Sequence, residues 1–112
     1  YFEYYEDDII EIFKKKHRFL LDLNFLAHEV VSQCLQLENE FSFSESYEEN
    51  IEEGSDYRYL VEAKGEPDYD LTKYTQVFET KLGYIPNLSI LDLLFNEGTA
   101  ALQYLEDHKG LF

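Results

Sequence analysis

The hydrophobic positions in the first third of the chain predict two amphipathic helices. In residues 2–18, large apolar side chains recur at the spacing of one helical face, at Phe2, Tyr5, Ile9, Ile12 and Phe13. Acidic residues fill the first turns of this segment and basic residues fill the last, residues 14–18, which complements the helix dipole. A second apolar face predicts a helix that begins near Asp22 as its N-cap and runs to about Leu37, with Asn39 as the stop. The short connection between them predicts an antiparallel helical hairpin that forms the core.

The middle of the chain has a weaker pattern. Residues 41–44 alternate phenylalanine and serine, which predicts a short extended segment with two aromatic rings on one side. Residues 46–49 have the spacing of a capping box and predict one or two helical turns that end at Gly54. A further turn is expected within residues 56–61. Residues 62–72, which contain a glycine and a proline, are expected to be the longest irregular connection.

A strongly apolar segment, residues 88–96, predicts a third major helix. Asn87 or Ser89 is suited to cap its start, and Gly98 is suited to end it. Apolar side chains occupy most of its circumference, so we expect this helix to be buried against the hairpin.

A final helix is expected from Thr99, as its cap, to about Asp107. Together these elements predict a mainly α fold, a small helical domain with an N-terminal hairpin and at most a short extended segment near residues 41–44. We expect residues 1–112 to form a single domain.

Composition and charge narrow the classes of partner. The 112 residues include 24 acidic and 9 basic side chains, for a formal net charge of −15, and 45% of them are hydrophobic. So high an apolar content indicates a folded protein, while the negative charge argues against nucleic acid and membrane surfaces as partners. No apolar run is long enough to span a bilayer. The single cysteine, Cys34, offers no disulfide framework and favours the cytoplasm. Because the chain begins at Tyr1 and contains no methionine, we expect it to be a fragment of a longer protein.

Metal and cofactor chemistry has no matching motif. His28 and Glu29 begin like a zinc-protease helix, but Ser32 stands where the second histidine should be. The five glycines are scattered singly, so no phosphate-binding loop is expected. Cys34 lies on an apolar helical face, which is typical of a small buried side chain. The basic run 14–18 is typical of a solvated helix end, with a sugar phosphate or an acidic partner as the alternative. We therefore predict no metal site, no cofactor and no catalytic residue from motifs.

Three polar residues interrupt the apolar segment, namely Asn87, Asp92 and Asn96. Burying such groups without partners would cost about 1 to 3 kcal/mol each, so either partners within the fold or a ligand is implied. The internal alternative, which we favour, has Asn87 capping the helix and Asp92 bonded to a backbone amide, to Arg58 or to Lys73.

The segment Gly83–Gly98, GYIPNLSILDLLFNEG, resembles the C-terminal signature of WbqC-like proteins. Tyr74, Gln76 and Phe78, which precede it at alternating positions, belong to the same resemblance, as do the segments 2–8 and 56–58. The resemblance covers nearly the whole chain. The family is bacterial and is associated with O-antigen and other surface-polysaccharide gene clusters, which implies a role in making or modifying those glycans.

The resemblance implies that this chain is the C-terminal lobe of a longer protein, because the family's aromatic- and proline-rich opening segment is missing. The intact protein would then be a transferase-like enzyme that acts on a nucleotide-linked sugar or glycan intermediate. Six residues would orient that substrate beside the missing half: Asn87, Asp92, Asn96, Tyr74, Gln76 and Arg58. The alternative is a non-catalytic interaction lobe, whose exposed aromatic side chains pack on the missing N-terminal half or on a partner protein, or drive homodimerisation.

Overall fold

The structure, a computed structural model, describes residues 1–38, 40–51, 56–61 and 69–110. Its α-helices are α1 (Phe2–Lys14), α2 (Leu20–Cys34), α3 (Glu79–Leu82), α4 (Ile90–Glu97) and α5 (Ala101–Asp107). Short 3-10 turns occupy Arg58–Val61 and Gly98–Ala100. The described residues contain no strand, so the predicted mainly α fold is confirmed.

The first two helices form the predicted hairpin. Tyr5, near the start of α1, and Leu35, just after α2, are both almost completely buried and belong to one hydrophobic cluster. The beginning of one helix therefore lies beside the end of the other, as an antiparallel pair requires.

Helix α1 ends at Lys14, four residues before the predicted boundary. Lys15 has extended backbone angles, and the His17 ring lies 2.7 Å from the carbonyl oxygen of Ile12. Because a carbonyl only accepts, the ring nitrogen donates, and it satisfies a group that the end of the helix leaves unpaired. Most of the basic run thus lies in the exposed link between the two helices rather than inside α1.

Helix α2 begins earlier than predicted, and Asp22 is not its cap. Phe19 holds the N-cap position, and its carbonyl accepts from the backbone N–H groups of Asp22 and Leu23 at 3.1 and 3.3 Å. Asp22 therefore lies in the first turn, where a carboxylate still favours the positive end of the helix dipole.

A Schellman motif ends α2 before the predicted residue. Gln36 has a φ of 60°, and its N–H donates to Gln33 O at 3.0 Å, while the Leu37 N–H donates to Ser32 O at 2.8 Å. The left-handed position is held by glutamine instead of glycine, so the usual signal is missing from the sequence. The predicted stop, Asn39, lies outside the described residues.

Helix α4 covers the hairpin as predicted. Leu94 is fully buried and joins the cluster around Tyr5. The Ser89 side chain accepts from the Leu91 N–H at 3.2 Å, and Gly98 ends the helix with a φ of 58°, so the predicted cap and stop are confirmed. Thr99 is not a cap, because it lies within the 3-10 turn that leads into α5.

The described residues between α2 and α3 are mostly irregular. Residues 46–51 are not helical, and the predicted stop at Gly54 lies outside the described residues. The Arg58 guanidinium binds the carbonyls of Glu48 and Glu49 at 2.7 and 2.9 Å, which occupies acceptors that a helix would need. The predicted turn within 56–61 is confirmed.

Residues 41–44 have no strand pairing but do place two aromatic rings together. Phe41 and Phe43 both contact the ring of Phe25 on α2, with centroids 5.3 and 4.7 Å away. Of the predicted irregular connection 62–72, residues 69–72 have no regular structure and residues 62–68 lie outside the described part.

Candidate functional site

Four of the six predicted site residues meet around one carboxylate on α4. The Tyr74 hydroxyl donates to Asp92 Oδ2 at 2.6 Å, and the Gln76 amide lies 3.4 Å from the same oxygen. One turn along α4, the Asn96 amide donates to Asp92 Oδ1 at 3.2 Å and to the Asp92 carbonyl at 2.7 Å. We call these four residues the Asp92 network.

Gln76 connects the network to the loop before α4. Its side-chain amide donates to Ile85 O at 2.8 Å, and its side-chain oxygen accepts from Ile85 N at 2.9 Å. Its backbone N–H donates to a carboxylate oxygen of Glu79, on α3, at 3.3 Å. Gln76 is only 7% exposed. Its side-chain amide both donates to and accepts from the backbone of Ile85, as a paired residue in an antiparallel sheet does.

The Tyr74 phenol stays protonated at neutral pH. Burial, and after it the hydrogen bond to Asp92, raises the pKa of Tyr74 to about 12. A phenol with that pKa remains a donor and is unsuited to act as a base. Among the described residues, every buried side-chain nitrogen and oxygen has a hydrogen-bond partner. The polar atoms of the network therefore serve each other, as the internal alternative expects, although the partners of Asp92 are Tyr74, Gln76 and Asn96.

Arg58 lies in a different constellation. Its guanidinium binds both carboxylate oxygens of Asp56 at 2.9 and 2.7 Å, in addition to the two loop carbonyls already described. This hydrogen bonding lowers the pKa of Asp56 to about 2. Lys73, the other proposed partner of Asp92, instead lies over the ring of Tyr84, with its ammonium 5.9 Å from the centroid.

Asn87 does not cap α4 as the internal alternative expected, because Ser89 holds the N-cap position. Asn87 is separate from the Asp92 network and lies on the rim of a small groove. Its φ is 55°, a left-handed conformation that asparagine tolerates, and its side chain is exposed. The groove measures about 270 Å³ and is mostly apolar, and it runs between α4, α5 and residues 69–74. Its lining is Tyr69, Leu71, Tyr74, Asn87, Leu88, Ile90, Leu93, Tyr104, Leu105 and His108. We call this the α5 groove.

Tyr104 and His108 hold one wall of the α5 groove, and sequence reasoning missed both. The Thr72 N–H donates to His108 Nε2 at 3.0 Å, so this nitrogen must carry a lone pair. His108 Nδ1 lies 2.6 Å from the Tyr104 carbonyl and must carry the hydrogen. The Tyr104 hydroxyl donates to the Thr72 carbonyl at 2.6 Å, and burial raises its pKa.

Tyr104 and His108 were detectable only as a pair four apart on one helical face. Both residues bond to Thr72, which is more than thirty residues away in the sequence, and a local pattern cannot predict such contacts.

Metal and thiol chemistry has limited support. Within residues 1–38, 40–51, 56–61 and 69–110, no three histidine, cysteine, aspartate or glutamate side chains converge as metal ligands. Cys34 is a half-buried free thiol, and burial, with a smaller effect from Asp8, raises its pKa. A thiol of raised pKa is a weak nucleophile, in agreement with its predicted packing role. No helix in the described part of the chain is long and apolar enough to cross a membrane.

Comparisons of this chain with protein families, with curated proteins and with solved structures return no match.

Proposed function

We propose that this chain is an interaction lobe that packs on another part of the same protein, the N-terminal half that the WbqC-like resemblance implies. The carrying observation is the apolar surface of α1 and of the link that follows it. Large apolar side chains from the residue before α1 to the first residue of α2 are mostly exposed to water: Tyr1 is 69% exposed, Tyr4 74%, Phe13 76%, Phe19 60% and Leu20 70%. Tyr4 and Phe13 are nine residues apart and lie on opposite sides of α1, so an occupant that covers both must wrap around this helix. Exposed apolar surface of this extent marks a protein interface.

The internal chemistry supports a binding role better than a catalytic one. The buried polar atoms of the Asp92 network are hydrogen-bonded within the lobe. The phenol of Tyr74 does not ionise near neutral pH. Burial of one large exposed apolar side chain contributes about 1.5 to 3 kcal/mol. Several such side chains on one helix and its link would stabilise the association of two lobes substantially.

The test compares the isolated chain with the longer protein encoded by the gene. Tyr4→Ser and Phe13→Ser should each leave the unfolding free energy of the isolated chain nearly unchanged, because both side chains are exposed. In the longer protein each should lower that free energy by about 1 to 2 kcal/mol, because there the side chains would be covered.

Phe43→Ser is the matched control, because Phe43 is 66% exposed and is outside α1 and its link, against Phe25 of α2. Equal effects of all three substitutions in the longer protein would contradict the proposal. Sedimentation of the isolated chain tests for a homodimer. If a homodimer forms through α1, this surface binds a second copy of the chain and not the N-terminal half.

A second candidate function is a role of the longer protein in making or modifying a bacterial surface polysaccharide. It is supported by the Gly83–Gly98 segment and by the α5 groove beside it. Among the described residues, the Asn87 side-chain amide has no hydrogen-bond partner, so it is free to bind a hydroxyl or carbonyl of a glycan intermediate. In this proposal Asn87 binds substrate and Tyr74 lines the same groove. Asp92 holds the Tyr74 hydroxyl in place, and Gln76 and Asn96 in turn contact Asp92.

Deletion of the full gene, followed by comparison of surface glycan composition, tests this second function. The function is supported if deletion alters the glycans, the wild-type gene restores their normal composition, and the Asn87→Ala gene does not. Unchanged glycans after deletion would remove it.

We also propose a cytoplasmic location, supported by the free thiol of Cys34.

A further inference from the structure

A second groove, larger than the α5 groove, runs beside the C-terminal half of α2. It measures about 880 Å³ and is open to solvent. Its floor is apolar, formed by Phe25, Leu26, Leu37 and Phe41. Its size is that of a site for several side chains of an extended or helical segment.

Three carboxylates stand on the rim of this groove, those of Glu29, Glu38 and Glu40. All three residues are exposed, and within the described part of the chain none of them has a hydrogen-bond or ion-pair partner. Among the described residues, no lysine or arginine lines the groove, whose lining includes His28. The local charge therefore has the same sign as the net charge of −15 of the whole chain.

Charge selects among the classes of occupant. The field of so acidic a protein steers cationic partners toward it and repels nucleic acid and anionic lipid. A second copy of the chain carries the same net charge, which opposes self-association. The apolar floor requires that the cationic partner also carry an apolar face.

We propose that this groove, the acidic groove, binds a basic amphipathic segment of another protein. The apolar face of the segment would lie on Phe25, Leu37 and Phe41, and its lysine or arginine side chains would pair with Glu29, Glu38 and Glu40. This surface is distinct from the exposed face of α1, so the proposal goes beyond the interaction lobe.

The experiment measures binding of a fluorescein-labelled 18-residue peptide of leucine and lysine at helical spacing, by anisotropy at physiological salt. The probe should bind the wild-type chain at least tenfold more tightly than an oligolysine of equal charge, because the floor needs apolar contact. The triple variant Glu29→Gln, Glu38→Gln, Glu40→Gln should weaken probe binding about tenfold.

The matched charge control is the triple variant Glu3→Gln, Asp7→Asn, Glu106→Gln, which removes the same number of exposed charges outside the groove. It should change binding less than threefold. Phe41→Ala should weaken binding, whereas Phe43→Ala should not, although both rings contact Phe25. Neither residue is buried, so the variants are expected to fold, and circular dichroism checks this.

Equal losses in the two charge variants would show only general attraction and would overturn the proposal. Oligolysine binding as tightly as the amphipathic probe would overturn it as well. A dimer of the free chain that excludes the probe would identify a second copy as the occupant and would also overturn it. Each outcome is independent of the Tyr4 and Phe13 variants, so failure here is distinguishable from failure of the interaction lobe.

Discussion

Gln76→Ala should destabilise this protein more than any other single amide substitution among its described polar residues. The side chain makes two hydrogen bonds to Ile85, of 2.8 and 2.9 Å, and is 7% exposed. Each such bond contributes about 1 kcal/mol net, and the N–H and carbonyl left on Ile85 would be only partly solvated. We therefore expect a loss of about 2 to 3 kcal/mol, a large part of the 5 to 15 kcal/mol that stabilises a typical domain.

Urea unfolding followed by circular dichroism measures this loss, and Gln103→Ala is the control. Gln103 is exposed, and its amide donates to Asp107 one turn further along α5, at 2.8 Å. Its replacement should cost less than about 0.5 kcal/mol. Gln76→Glu should cost more than Gln76→Ala, because a carboxylate cannot donate to the Ile85 carbonyl and would lie near Asp92.

Two results would refute this reasoning. If Gln76→Ala and Gln103→Ala were equal within 0.5 kcal/mol, the bonds to Ile85 would contribute nothing measurable to stability. If Gln76→Glu were as stable as the wild-type chain, the donor role assigned to the Gln76 amide would be wrong.

Three further predictions concern single positions. Gly98→Ala should destabilise by more than about 1 kcal/mol in urea unfolding, because the residue has a φ of 58° and a Cβ would lie 2.8 Å from the ring of the N-terminal tyrosine. The Asp56 carboxyl should titrate near pH 2 by carbon NMR, and Arg58→Ala should return its pKa to the ordinary value. The stabilisation from that pair is therefore present above about pH 4 and disappears as the pH falls toward 2. The Tyr74 phenol should ionise only near pH 12 by NMR, and Asp92→Asn should lower that pKa without returning it to 10, since burial is the larger cause.

The helices were predictable because their apolar spacing is a local property. Helix α4 shows this best, since Ser89 and Gly98 mark both of its ends and the leucines between them require burial. Other boundaries were not predictable, because contacts across several residues decide them. The His17 ring binds the Ile12 carbonyl at the end of α1, and Gln36 adopts the left-handed turn that ends α2. The sequence pattern offered only a run of basic residues and an asparagine at these ends.

The internal pairing of Asp92 followed from the cost of burying a carboxylate, but its partners did not. The proposed partners were a backbone amide, Arg58 or Lys73, and the structure instead provides a phenol and two side-chain amides, from Tyr74, Gln76 and Asn96. The sequence contains no signal that brings residue 74 to residue 92 rather than residue 58. The wall of the α5 groove was hidden for the same reason, because His108 meets Thr72 only after folding.

The Asp92 carboxylate and the Gln76 side chain together join three stretches of the chain, which has a consequence for local opening. The loop at Ile85 is hydrogen-bonded to the Gln76 side chain. Both Tyr74 and Gln76 contact the Asp92 carboxylate. Asp92 belongs to α4, which is held in the core by the fully buried Leu94. None of these stretches can detach alone without leaving a donor or acceptor of another stretch without its hydrogen-bond partner. Residues 74–97 should therefore behave as one cooperative unit, and their amide hydrogens should exchange together and more slowly than those of the exposed segment 40–51.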